Sequence, residues 1–166
     1  MPADVVSEVD LSTGAYTRGA FEAALAQAVH HAHTCKEPLC VIWVDVDDLQ
    51  EHNDLYGWER LDAALSSIAE VISNEADGGG PIGRVGGDAF AVALAGMDEE
   101  GARALAERIR RSTSSRLVPL APEVRVTVSA GVVQMRRGEP SGNLLEAAED
   151  TCIRAKQRGR NAVACR

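Results

Sequence analysis

Two short apolar runs separated by Gly86-Gly87-Asp88 constrain this chain more than any other feature. Pro81-Ile82-Gly83-Arg84-Val85 precedes the turn, Phe90-Ala91-Val92-Ala93-Leu94 follows it, and Gly96 ends the second run. Two strands joined so closely form a hairpin, and glycine is expected to supply the positive φ that a tight turn needs. Alone, a Gly-Gly-Asp would read as a surface turn with one solvated acid. A second stretch changes that reading. Val41-Ile42-Trp43-Val44 is an apolar strand that runs straight into Asp45-Val46-Asp47-Asp48. Apolar on both faces, the strand from Leu39 to Val44 belongs at the centre of a sheet. Acids at a strand end, facing an acid on a hairpin turn, are a common way to hold Mg²⁺ against a nucleotide phosphate.

The remaining periodicities build the frame around these two pieces. Phe21, Ala24, Leu25, Ala28 and Val29 predict an amphipathic helix from a Thr17 cap to about Thr34. Its histidines, His30, His31 and His33, read as solvated side chains in preference to metal ligands. Residues 45–58 read as a polar loop or a short irregular helix. Leu61, Ala64, Leu65, Ile68 and Ile72 mark a second helix ending near Ala76. Asp98 caps a third that buries Ala102, Leu105 and Ile109. A proline-bearing connection over 118–123 leads to a period-two strand, Val124 to Val132. The last helix carries Leu144, Leu145, Ala148, Cys152 and Ala155, with Lys156 and Arg158 in its final turn and Gly159 capping it. Residues 161–165 close the chain as a short strand. From the first strand the order is β-α-β-β-α-β, then a further helix and strand. That is the split βαβ arrangement, an α/β (α+β) fold whose mostly antiparallel sheet is covered by helices. It allows Asp45, Asp47 and Asp88 to share one rim.

Composition excludes several classes of function. With 166 residues, 45% of them hydrophobic, the chain supports one sizeable core. A net charge of −8 argues against wrapping nucleic acid or lying on anionic lipid. Cys35, Cys40, Cys152 and Cys165 have no zinc spacing and read as reduced thiols. No apolar run approaches the roughly 20 residues of a membrane span. The first residues lack the features of a signal peptide, so a cytoplasmic location is expected. Residues 1–9 read as a tail or linker and 10–166 as one domain, of a kind often found within a longer regulatory chain.

Taken together, the motifs resemble the GGDEF domain, the diguanylate cyclase module of bacterial cyclic-di-GMP signalling. The resemblance runs from Asp10-Leu11-Ser12-Thr13-Gly14 to Gly159-Arg160-Asn161. Between them lie Asp45-Val46-Asp47, Asn53-Asp54, Gly57, Asp62, Arg84-Val85-Gly86-Gly87-Asp88, Thr127-Val128-Ser129-Ala130-Gly131 and Ala155-Lys156. It implies a nucleotide-cyclase palm that joins two GTP molecules, each on one protomer, by attack of a 3′-hydroxyl on an α-phosphate. By resemblance, Asp45, Asp88 and the Val46 carbonyl would hold Mg²⁺. Asn53 and Asp62 would read guanine, and Gly86 and Gly87 would line the nucleotide. Lys156 and Arg160 would contact phosphate, and Arg84 would brace the hairpin.

The departures from the family pattern are as informative. Ala89 stands where the family's motif, Gly-Gly-Asp/Glu-Glu-Phe, has a catalytic glutamate, and a methyl group neither binds metal nor takes a proton. Leu49-Gln50 replaces Phe-Lys, which removes a cation from the phosphate site. Gly57-Trp58 replaces Gly-His, and Leu61-Asp62 replaces Gly-Asp, adding bulk where the base would approach. The Arg-x-x-Asp motif of product inhibition would fall at Asp77 to Gly80 and is absent, so no cyclic-di-GMP inhibitory site is expected. The expected function is a catalytically weak or inactive GGDEF domain. It would act as a GTP-binding regulatory or interaction module, as a homodimer or with other signalling domains. Two alternatives stand beside it. One is an active cyclase in which Asp47 or Asp48 replaces the missing acid. The other is a dimerisation or docking domain without nucleotide.

Overall fold

A computed structural model describes residues 8–116 and 125–166. The elements run α1 Arg18–Cys35, β1 Leu39–Val46, α2 Leu49–Tyr56, α3 Trp58–Ala76, β2 Ile82–Arg84, β3 Ala89–Ala95, α4 Glu99–Ser115, β4 Val128–Gln134, α5 Ser141–Gln157 and β5 Val163–Cys165. The sheet order is β2-β3-β1-β4-β5, antiparallel except for the β4–β5 pair. This is the expected split βαβ sheet, with β1 at its centre.

Strand alternation divides the core in two. Cys40, Ile42, Val44 and Val46 of β1 face α3 and α4, whose Leu61, Leu65, Ile68, Leu105 and Ile109 fill that layer. Leu39, Val41 and Trp43 face α1 and α5, against Phe21, Leu25, Leu144 and Cys152. Each buried Leu or Ile contributes about 1.5–3 kcal/mol, so two filled layers hold β1 rigidly from both sides. The caps match the sequence: the Thr17 side chain accepts from Ala20 N–H and the Asp98 side chain from Gly101 N–H. No helix among the described residues is long and apolar enough to cross a membrane.

Four sequence expectations need correction. Residues 49–56 form a regular two-turn helix, which shows no apolar period because α2 buries no residue. Strand β4 begins at Val128, not Val124; the connection at 118–123 and Val124 itself lie outside the described residues. Strand β5 begins at Val163, because Arg160 and Asn161 have φ of 64° and 43°, which breaks an extended run. Finally, neither Gly86 nor Gly87 has positive φ. The link from Val85 to Asp88 is long enough to reverse the chain without it, closed by Val85 N–H and Gly86 N–H bonding to the Ala89 carbonyl at 2.9 and 3.2 Å.

Candidate functional site

The site grows from the end of β1. Asp45 pairs with Ala89 of β3 on one side and Ser129 of β4 on the other, so it occupies the rim of the sheet centre. Its side chain shares the face of Trp43, towards α5. From the last turn of α5, Lys156 donates to Asp45 Oδ1 at 2.5 Å and to the Val46 carbonyl at 3.1 Å. The hairpin is fastened to the same strand end, with Val46 N–H bonded to the Asp88 carbonyl at 3.1 Å. Burial pushes the Asp45 carboxyl above its usual range. Lys156 opposes that rise, while neighbouring Asp88 and Asp47 add to it. Burial works against the Lys156 ammonium, yet Asp45 holds its pKa above normal. The rim is therefore a half-buried patch of excess negative charge gripping one cation.

Three neighbouring acids have three different fates. Asp47 is 2% exposed and turned into the protein. It accepts from Thr127 Oγ1 at 2.7 Å, Ser129 Oγ at 2.8 Å and Asn161 N–H at 2.9 Å. Asp48, in the left-handed region with φ 56°, pairs with Arg160 Nε at 2.9 Å. Only Asp45 remains at the rim beside Asp88. Sequence reasoning placed Asp47 with the other two, and the structure separates it. The polar alternates Thr127 and Ser129 in a period-two strand were the available signal for this structural role.

Arg84 braces the hairpin as expected. It donates to Asp10 Oδ2, Ser12 Oγ and the Gly87 carbonyl, each at 2.8 Å. Gln50 spends its amide on Asp54 Oδ1 at 3.1 Å. Asn53 on α2 and Asp62 on α3 flank the bend at Gly57 (φ 79°), and the Asn53 Oδ1 atom is buried without a hydrogen-bond partner. Leu61 lies in the core at 1% exposure, so its bulk is absorbed by packing against α4 and the sheet. Ala89 is 3% exposed and lies directly across from Asp45, on the same face. Gly86 and Gly87 are exposed on the turn.

These groups fit a hydrated Mg²⁺ ion brought in with phosphate. Asp45, the Val46 carbonyl and Asp88 are hard oxygen donors, and Lys156 already shows that the first two converge on one cation position. Among the described residues no three His, Cys, Asp or Glu side chains converge as a metal site, and water or phosphate oxygens would fill the remaining positions around a bound Mg²⁺. The thiols are all unpaired.

A family model described as "Diguanylate cyclase, GGDEF domain" matches residues 7–162. The chain is 34% identical over 143 residues to the probable diguanylate cyclase DgcT of Escherichia coli, covering 83% of this chain but 31% of that protein. Among solved structures it is similar to the GGDEF domain of DgcB from Caulobacter crescentus in complex with c-di-GMP. There the TM-score is 0.91 at 26% identity, covering 99% of this chain and 98% of that one. It is similar also to the diguanylate cyclase SiaD of Pseudomonas aeruginosa in complex with its activator SiaC, with TM-score 0.91 at 27% identity, covering 96% and 62%. With the family model spanning nearly all of it, the chain belongs to the GGDEF domain family of diguanylate cyclases, the family of cyclic-di-GMP signalling.

Proposed function

We propose that this domain binds GTP with Mg²⁺ at the rim formed by the end of β1, the β2–β3 turn and the last turn of α5. We further propose that it has lost most of the capacity to join two GTP molecules. The observation that carries this reading is the position of Ala89, directly opposite Asp45 on the same face of the sheet. A glutamate there would add a carboxylate beside the one that faces the cation position. The methyl group leaves Asp45 and Asp88 alone to hold a metal. Loss of one acid/base or metal-linked group commonly costs on the order of 10²–10⁴ in rate. Neither nearby acid takes its place. Asp47 is committed to three internal hydrogen bonds and Asp48 to Arg160.

In this reading Asp45, the Val46 carbonyl and Asp88 would hold Mg²⁺, whose charge would offset that of the triphosphate, while Lys156 and Arg160 would exchange their carboxylate partners for phosphate and Asn53 and Asp62 would read guanine. Gly86 and Gly87 leave bare backbone at the turn for the nucleotide to approach. Asp77-Gly78-Gly79-Gly80 offers no Arg-x-x-Asp pair, so feedback by cyclic-di-GMP at that loop is not expected. The domain would act in the cytoplasm on a partner protein or a second copy, and the activator bound to SiaD is a precedent for protein control of a relative. The second reading, an active cyclase, is favoured by the name of the Escherichia coli relative, a probable diguanylate cyclase. Calorimetric titration with GTP, with and without Mg²⁺, and analysis of products from the same sample separate the two. Magnesium-dependent, guanine-selective binding without cyclic-di-GMP supports the proposal. Steady formation of cyclic-di-GMP overturns its catalytic half, and absence of any nucleotide binding overturns all of it.

A further inference from the structure

The apolar stripe of α3 runs one turn beyond the core. Leu61, Leu65, Ile68 and Ile72 follow one line along the helix, and none is more than 2% exposed. Trp58 continues that line three residues earlier, yet it is 64% exposed. The neighbouring helix α2 buries no residue, and Leu55 in its last turn is 66% exposed. An indole in register with the core but left uncovered forgoes the burial that usually fixes a tryptophan. The elbow at Gly57 therefore presents an aromatic side chain and an aliphatic one on a surface that the fold itself does not close.

Polar groups flank this apolar surface. Asn53 precedes the elbow by one turn, with its Oδ1 buried and unpartnered. Asp62 follows Trp58 at i+4, on the same side of α3. A buried, unmatched amide oxygen one turn before the elbow and an uncovered indole just after it suit an occupant that is flat, apolar on its faces and rich in donors at its edge. A purine base has those properties.

We infer that Trp58, with Leu55 beside it, is the stacking platform for the guanine base of the bound nucleotide. The inference rests on the GTP-binding reading above and assigns a residue to it. Asn53 and Asp62 select the base by its edge. The indole binds the face, which every base presents, so Trp58 sets affinity and not identity.

Fluorescence tests this directly, because the other tryptophan, Trp43, is 3% exposed within the sheet and serves as an internal reference. The 166-residue chain is titrated with GTP, GDP and GMP in the presence of Mg²⁺, by emission and by calorimetry. The exposed, red-shifted emission is expected to be quenched on binding. W58A is expected to weaken all three nucleotides by a common factor on the order of tenfold, with W58F within about threefold of wild type. Unchanged Trp43 emission in both variants shows that the fold is intact. If calorimetry shows GTP bound while emission does not move and W58A binds as tightly as wild type, the platform is refuted and the GTP reading stands. If W58A alters only the oligomeric state, the tryptophan covers a protein surface and the inference is equally refuted. If wild type gives no heat with GTP, the underlying reading fails and the platform fails with it.

Discussion

Replacing Asp47 by alanine should unfold this domain before it harms a metal site. Asp47 is 2% exposed and accepts three short hydrogen bonds, from Thr127 Oγ1, Ser129 Oγ and Asn161 N–H. A hydrogen bond to a charged group contributes about 1.5–3 kcal/mol, and the contributions of one network do not add in full. The two hydroxyls can rotate towards other acceptors after truncation, but the Asn161 N–H is fixed by a left-handed backbone at φ 43°. The expected loss is about 3–5 kcal/mol, a large part of the total for a domain of this size. At about 2–4 °C per kcal/mol, the melting temperature should fall by roughly 6–20 °C. Asp47→Asn keeps the shape and one acceptor oxygen and should lose about half as much. Urea denaturation and thermal melting, each without nucleotide, measure both. A loss below about 1 kcal/mol for D47A, with Mg²⁺-dependent GTP binding abolished in the still-folded protein, would show that Asp47 is a ligand. The structural assignment would then be wrong.

Three further substitutions test other links. Burial works against the Asp10 carboxylate, but Arg84, Ser12 and Thr13 outweigh it and bring its pKa to about 2. A depressed carboxylate contributes stability above its unfolded value near 4 that is lost as pH falls towards 2. Arg84→Ala should therefore cost about 1–2 kcal/mol more at pH 7 than at pH 2, where only its bonds to Ser12 Oγ and the Gly87 carbonyl remain to be lost, read from denaturation at the two pH values. Lys156→Met removes the ammonium that opposes the upward pull on Asp45, so the carboxyl should rise further. A raised carboxyl costs stability as pH climbs through its folded value. A deficit of about 2 kcal/mol at pH 7 should thus shrink near pH 4, and an equal deficit at both would refute the pair. Ala89→Glu places a second carboxylate opposite Asp45 in a site now 3% exposed. It should cost about 1–3 kcal/mol without metal, and be partly restored by Mg²⁺ with GTP. If position 89 limits catalysis, cyclic-di-GMP formation should rise at least tenfold; no rise in protein shown to bind GTP would place the defect elsewhere.

What the sequence made legible follows from where burial imposes a period. The stripes of α1, α3, α4 and α5 and the apolar run of β1 stand out because each packs against a core layer. Helix α2 was hidden for the opposite reason. It has no fully buried residue and packs only Leu49 and Tyr56 partly against the core, its N-cap Asp48 makes no side-chain capping bond, and its polar residues carry no period. The glycines of the turn misled in a different way. Two adjacent glycines suggest left-handed backbone, but the four-residue link from Val85 to Asp88 relieves the need for it. Glycine there keeps the backbone bare, and at Gly86 a Cβ would come within 3.3 Å of the Ala89 Cβ.

The acids of β1 show why a motif locates a site without assigning its members. Asp45 and Asp47 have the same strand parity and the same chemistry, so no period distinguishes them. Their fates diverge because of residues about 80 and 114 positions away in sequence: the Ser129 hydroxyl and the Asn161 N–H both donate to the Asp47 carboxylate. Hydroxyl and amide donors fixed to the backbone satisfy Asp47 permanently and remove it from chemistry. The partner of Asp45 is a lysine on a flexible stem, which the proposed binding of phosphate and metal would draw away. A carboxylate held by a movable cation is a binding group, and one held by fixed donors is part of the scaffold. By that criterion the Asp45–Lys156 pair and the Asp88 turn are the functional centre that the proposed GTP-binding reading requires. In the proposed reading Ala89 then matters because a glutamate on β3 would have faced that pair opposite Asp45.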